Sequence, residues 1–276
     1  MRSAIEKRQF EVYYQPIVDL RSERIMGMEA LVRWNHPEHG LVLPLDFIPV
    51  AEETGLIVPL GAWILNEACS QASSWQVEHD LGNSLSITVN IAGRQFQEVG
   101  LVDTVANALS RSKLPPQSLI LEITESTMLL NTNATIETLT ALKALGIGLA
   151  IDDFGTGYSS LSYLQKFPVD ILKIDKSFID KIAAGKEGAA VAKAIITMSD
   201  TLQLKTIAEG IESVGQQAAL QVLGCELGQG YHFAKPLRAA DMNEFLLASS
   251  ATRSNSEMNP VRTAGEATKR HPVIAG

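Results

Sequence analysis

Residues 10–34 read FEVYYQPIVDLRSERIMGMEALVRW. Two apolar runs, 10–20 and 25–34, are separated by the polar stretch Arg21–Arg24. A link this short can only close a hairpin, so the first two strands run antiparallel. From the second strand onward the pattern changes. Helix-like stretches near 44–54 and 59–79 lead to SLSITVNIA (84–92), and one near 100–112 leads to SLILEITES (118–126). Residues 132–145 lead to GIGLAIDDF (146–154), and a short helix near 159–166 leads to VDILKID (169–175). Helical residues 186–202 lead to LKTIAEGIE (204–212), 213–223 lead to CELGQGYHF (225–233), and a last helix is expected over 239–248. Strand and helix therefore alternate after the hairpin, which implies parallel strands joined by right-handed crossovers. Eight such strands predict an α/β fold, a (β/α)8 TIM-like barrel whose first strand is antiparallel to the others. An open doubly wound sheet would need a Gly-rich phosphate fingerprint after an early strand, and the sequence has none.

Composition narrows the class. The chain has 276 residues, 46% of them hydrophobic, enough for one large barrel domain over 1–248. The polar remainder, 249–276, carries few large apolar residues and is expected to be mobile or draped on the surface. Cys69 and Cys225 have no metal-binding spacing, which argues against disulfides and zinc–thiolate sites and fits a reducing cytoplasm. The five histidines are scattered, and His36 and His39 lack a third partner of their kind, so they read as loop or surface residues. The start MRSAIEKRQFEVYYQ is charged and lacks the apolar core of a signal peptide. GLIVPLGAWIL (55–65) is too short to span a bilayer and contains Pro59. The net charge of −8 disfavours nucleic-acid polymers as partners. A small anionic ligand stays open, since bound cations can invert the local sign.

The strands carry a repeated anomaly. Glu29, Asn90, Glu122, Asp152 with Asp153, Lys173, Glu209 and Gln229 place polar groups inside or at the end of apolar runs, on seven strands. Most sit near a strand's C-terminal end, and in a barrel those ends meet on the face where active sites assemble. The phase agrees: Ser86, Thr88 and Asn90 share one strand face, while Ile87, Val89 and Ile91 share the other. Leu119, Leu121 and Ile123 likewise oppose Glu122 and Thr124. In GLAIDDFGTGYSSL (148–161) the adjacent Asp152 and Asp153 cannot face one ligand from a regular strand. A sharp turn at Gly155 and Gly157 is expected to bring them together. Converging carboxylates repel unless cations lie among them. An all-oxygen set without cysteine or histidine selects Mg²⁺ or Mn²⁺ over zinc, and the number of acids favours two ions.

Taken together, YYQPIVDL, EALVRW, VNIA, LEITE, AIDDFGTGYSSL, ILKID, AEGIE and GQGYHFAKP resemble the EAL domain across residues 3–248. That family comprises bacterial phosphodiesterases of the second messenger cyclic di-GMP, with a barrel containing one antiparallel strand. The resemblance implies Glu29, Asn90, Glu122 and Asp152 around one metal, with Asp152 shared with a second that Asp153 and Glu209 also face. It implies Glu209 as general base, Lys173 as holder of the nucleophilic water and Gln229 as support for that cluster. Gln15, Leu31 and Arg33 fall on substrate-side positions, Arg33 as the phosphate ligand. Glu125 would anchor the loop Gly155–Leu161, which the family associates with metal binding and a dimer interface. Asp175 and Glu212 match family acids in supporting roles.

Other signals are discounted. DFG at 153–155 lacks the kinase catalytic loop, and Gly-Thr-Gly lacks the third glycine of a dinucleotide fingerprint. Met26 and Met28 share a strand face and are expected to pack in the core. The implied function is hydrolysis of cyclic di-GMP to linear pGpG by a two-metal mechanism, in the cytoplasm, by a homodimer. Its rivals are a non-catalytic cyclic di-GMP receptor and a barrel hydrolase of another phosphodiester. A sensor or diguanylate cyclase domain is expected only in a longer parent chain.

Overall fold

The computed structural model describes residues 1–79, 85–129, 132–155, 164–182 and 186–257. Strands β1 (Phe10–Asp19) and β2 (Ile25–His36) form the hairpin, followed by β3 (Gly40–Val42). Then come β4 (Ser86–Asn90), β5 (Leu119–Thr124), β6 (Gly148–Phe154), β7 (Ile171–Ile174), β8 (Lys205–Ala208), β9 (Leu227–Gly228) and β10 (Leu237–Arg238). The sheet order is β10-β1-β9-β8-β7-β6-β5-β4-β2-β3, and β1 also pairs with β2. That last pairing closes a ring of eight strands, leaving β3 and β10 as short additions on its rim. Within the ring β1 runs against both neighbours, with Gln15 opposite Glu29 and Val18 opposite Gly228. The other pairings of the ring are parallel.

The crossover helices follow local chemistry. Pro44 opens the helix Pro44–Thr54, where a missing N–H costs nothing. Helix Ile57–Glu78 buries Leu60, Leu65, Ala68, Ala72 and Trp75 against the outside of the barrel. Trp75 meets the outward-facing Tyr14 of β1 edge-on, with ring centroids 4.8 Å apart. Helix Leu101–Ser112 buries Leu101, Val105, Ala108 and Leu109, an i, i+4, i+7, i+8 stripe. Helix Val214–Leu223 starts with a capping box in which the Gln216 N–H donates to the Ser213 hydroxyl and the Gln216 side chain accepts from the Ser213 N–H.

Several boundaries differ from the sequence reading. The last helix runs Ala239–Glu257, past the expected end at 248, because the polar stretch after Ser249 holds no proline or glycine up to Glu257 to stop it. The expected helix near 159–166 lies mostly outside the described residues. Met28 is fully buried, but Met26 is 39% exposed, so only one of the pair packs in the core. Met26 stands at the start of β2, where Ile25 is also only partly buried. Among the described residues no helix is long and apolar enough to cross a membrane.

Inside the barrel, alternation sorts the strands into layers. Ile17, Ala150, Ile171 and Ile207 form a small cluster of their own, with Ile120 and Leu227 packed against it. Two positions along the same strands stand Gln15, Asp152, Lys173, Glu209, Glu122 and Gln229. An apolar floor therefore carries a polar layer directly above it.

Candidate active site

The centre of that polar layer is a lysine. Lys173 of β7 is 1% exposed, and its Nζ lies 2.7 Å from Glu122, 2.6 Å from Glu209, 3.2 Å from Asp152 and 3.6 Å from Glu29. Burial pulls its pKa down, but the field of the four acids outweighs burial and holds it well above the usual lysine value. The acids answer unequally. Burial drives Glu122 well above the ordinary carboxylate range despite Lys173, with Glu29, Asp152 and Glu209 adding to the rise. Glu209 is pushed up to about 8, again by burial first. Glu29 is buried too, but Lys173 and hydrogen bonds from Gln229 and Asn90 bring it below the usual range. Pairs pushed apart in this way divide proton-holding from charge-holding roles.

Asn90, Gln229 and Gln15 join this hub through Glu29. Asn90 Nδ2 donates to Glu29 Oε1 at 2.7 Å, which turns the Asn90 oxygen away from Glu29. Gln229 donates to both Glu29 and Gln15, the latter at 2.9 Å, and Gln15 in turn donates to the Ala234 carbonyl at 2.9 Å. The glycines beside Gln229 are steric requirements: a side chain at Gly230 would lie 2.1 Å from the Ile211 carbonyl oxygen. The GQG sequence thus lets this strand approach its neighbour while Gln229 faces the acids.

Asp152 and Asp153 do converge, though not by the expected glycine turn alone. Asp153 itself adopts φ 53°, a left-handed conformation, and the β6–β7 register shifts between Ile151 and Phe154. This bulge breaks the alternation and re-aims the second carboxylate, and Gly155 continues the turn with φ 96°, while Gly157 lies outside the described residues. Oxygens of Asp152, Asp153 and Glu209 lie within 4.8 Å of one another. Burial and the adjacent Asp152 raise the Asp153 pKa. Glu122 Oε1 is buried with no hydrogen-bond partner among the described residues. An orphaned buried carboxylate oxygen beside a compact all-oxygen cluster fits a hard divalent cation.

Glu125 opens the short helix Glu125–Leu129, and its Oε2 accepts from the Gly155 N–H at 3.2 Å. Only the first residue of the anticipated loop can be placed, since residues 156–163 lie outside the described residues. Arg33 is half-buried on β2, its pKa lowered by burial, with its guanidinium donating to the Val32 carbonyl at 2.9 Å. Asp175 accepts from the Ser177 N–H at 3.0 Å and its charge adds to the rise at Asp153, while Glu212 pairs with Lys176.

Two openings reach this end of the barrel. A cleft of about 1120 Å³ is lined by Leu31, Asn90, Asp152 and Asp153 together with Leu45 and Ile48 of the helix Pro44–Thr54. A smaller one of about 380 Å³ is lined by Gln15, Glu209, Gln229, Lys176 and Tyr231. Sequence reasoning missed Lys176, Tyr231 and Thr88. Thr88, fully buried on β4 with its hydroxyl unpartnered among the described residues, was visible only as one more polar residue on the inward face.

Comparison with known proteins agrees with this geometry. A family model described as the EAL domain matches residues 1–236. The chain is 47% identical over 252 residues to the bifunctional diguanylate cyclase/cyclic di-GMP phosphodiesterase MucR of Pseudomonas aeruginosa, covering 91% of this chain and 36% of MucR. It is 44% identical over 249 residues to the cyclic di-GMP phosphodiesterase NbdA of the same organism, covering 90% of this chain and 31% of NbdA. The chain thus spans about a third of the length of these relatives. A solved structure of the MucR phosphodiesterase in complex with c-di-GMP superposes with a TM-score of 0.83 at 46% identity, covering 87% of this chain and 97% of that one.

Proposed function

The chain belongs to the EAL domain family, and from that premise we propose that it is a metal-dependent phosphodiesterase hydrolysing cyclic di-GMP to linear pGpG. The observation that carries the reading is the ammonium of Lys173 buried among Glu29, Glu122, Asp152 and Glu209, beside the oxygen cluster of Asp152, Asp153 and Glu209. A non-catalytic receptor would need no such concentration of buried acids around one ammonium.

In this reading Glu29, Asn90, Glu122 and Asp152 would hold one divalent ion, Mg²⁺ or Mn²⁺, and Asp152, Asp153 and Glu209 would hold a second. Bound ions would supply Lewis-acid stabilisation of the charge on the attacking and leaving oxygens. The chain's own residues do the rest. Lys173 donates to the attacking water and orients it, and Glu209, its carboxylate 2.6 Å from the ammonium, takes the proton. Gln229 holds Glu29 and Gln15 in register, so the acid cluster is fixed before substrate arrives. Arg33 grips a non-bridging phosphate oxygen through its guanidinium fork, with Gln15 and Leu31 flanking the bound nucleotide. Glu125 fixes the chain just beyond Asp153 by holding the Gly155 N–H.

The barrel domain is assigned to residues 1–248 and is proposed to work in the cytoplasm as a homodimer; a sensor or diguanylate cyclase domain would belong to a longer parent chain. Turnover of cyclic di-GMP, pGpG and other cyclic dinucleotides, each with Mg²⁺ or Mn²⁺, tests the function. The expected result is conversion of cyclic di-GMP to pGpG and little further cleavage. Binding without turnover would leave the receptor reading, and equal turnover of other cyclic dinucleotides would overturn the substrate assignment.

A further inference from the structure

Two arginines from opposite ends of the chain meet over one aromatic ring. The guanidinium of Arg33 lies 5.6 Å from the centroid of Tyr13, and that of Arg238 lies 5.8 Å from it. Arg238 Nε also donates to the Tyr13 hydroxyl at 3.0 Å and lies 3.5 Å from Glu11. Backbone pairing fixes the arrangement, since β1 sets Tyr13 opposite Leu31 on one side and Arg238 on the other. Tyr13 shares its strand face with Gln15 and Ile17, so it is the next step above the polar layer toward the barrel mouth. There its ring presents a negative face to Arg33, whose charge also feels Tyr231, Tyr13 and Glu29.

We propose that Tyr13 is a positioning residue for phosphate binding: its ring, steadied by Arg238, holds the Arg33 guanidinium aimed across the barrel mouth. The inference rests on the reading of Arg33 as the phosphate ligand. A free arginine loses several rotamers on binding an anion, and a ring that pre-orders the guanidinium removes part of that cost. Arg238 contributes by fixing the phenol through its hydrogen bond, and Glu11 pairs with the Arg238 guanidinium at 3.5 Å.

The test is a double-mutant cycle on the full chain with Mg²⁺ and cyclic di-GMP, reading KM and kcat separately. Tyr13→Ile keeps a strand-forming residue but removes the ring. It should raise KM about fivefold, the size of a partly exposed cation–π contact, with kcat changed less than about twofold. Tyr13→Phe keeps the ring and should recover most of that loss. In an Arg33→Ala background, Tyr13→Ile should add nothing, because Tyr13 acts only through Arg33. The Arg33 side-chain Nε–H resonance gives a readout independent of activity and should lose a ring-current shift in Tyr13→Ile. An unchanged KM in Tyr13→Ile, with Arg33→Ala defective, overturns this proposal alone. A KM defect that persists in the Arg33→Ala background also overturns it. A normal KM in Arg33→Ala overturns the phosphate role of Arg33 and this inference with it. If Tyr13→Ile fails to fold, Tyr13→Leu replaces it under the same criteria.

Discussion

Two layers inside one barrel, a single two-residue step apart on the same strands, are held together by opposite physics. The lower layer, Ile17, Ala150, Ile171 and Ile207 with Ile120 and Leu227, is closed by apolar contact. The upper layer has Glu122 and Lys173 at 1% exposure and Glu29, Gln15 and Gln229 at 5–6%, yet it is made of charges and amides. A step of about 6.5 Å along a strand therefore separates a floor that needs no partner from a layer that collapses without one. The difference lies in compensation rather than burial. One ammonium serves four carboxylates, and Glu122 still has an oxygen unmatched. The upper layer is under-compensated in positive charge, which is the condition of a site built to take up more.

The comparison can be broken most directly by removing divalent ions. Excess chelator should abolish turnover, Mg²⁺ or Mn²⁺ should restore it, and Ca²⁺ should bind but support little hydrolysis, being larger and looser in geometry. Full activity in excess chelator would mean the upper layer needs no added cation. Next in size is Lys173→Met, which keeps the apolar stem and deletes the charge. Single-turnover rate should fall by about a hundredfold or more, while cyclic di-GMP affinity changes little. Normal turnover in this variant would remove Lys173 from the chemistry.

Arg33→Ala should weaken cyclic di-GMP binding by roughly ten- to a hundredfold, the loss of a charge-assisted hydrogen bond. Titration calorimetry on the variant checks it. The lower layer should respond in a different currency. Ile171→Ala should lower the unfolding free energy by about 2–4 kcal/mol, read from denaturant melts, with kcat of the folded fraction changed less than about twofold. A catalytic defect as deep as that of Lys173→Met would show that the two layers are not separable. The smallest effect is expected from Glu125→Gln. It weakens the hold on the Gly155 N–H and should reduce Mg²⁺ affinity by about threefold, below the roughly ten- to hundredfold typical of direct outer partners of metal ligands. Association state, followed by sedimentation, reports whether the loop also serves a dimer. Wild-type values in both measurements would show that Glu125 anchors nothing of consequence.

The linear sequence determined the hairpin, the strand–helix alternation after it and the inward polar residues Glu29, Asn90, Glu122, Asp152, Lys173, Glu209 and Gln229. Each of these is a local pattern: the length of a link, a two-residue period, a polar side chain in an apolar run. It did not determine which four carboxylates the Lys173 ammonium would meet, because they come from four other strands and only closure of the ring brings them within reach. The convergence of Asp152 and Asp153 was foreseen, and Gly155 does turn with a positive φ, but the part played by Asp153 itself was not. The left-handed backbone at Asp153 follows from the register shift against β7, a long-range pairing with no local signature. The meeting of Tyr13 with Arg238 was likewise invisible, since 225 positions separate them and the short strand β10 that joins them shows no period at all. Periodicity fixes which way a side chain points; what it meets there is decided when the two ends of the sheet close on each other.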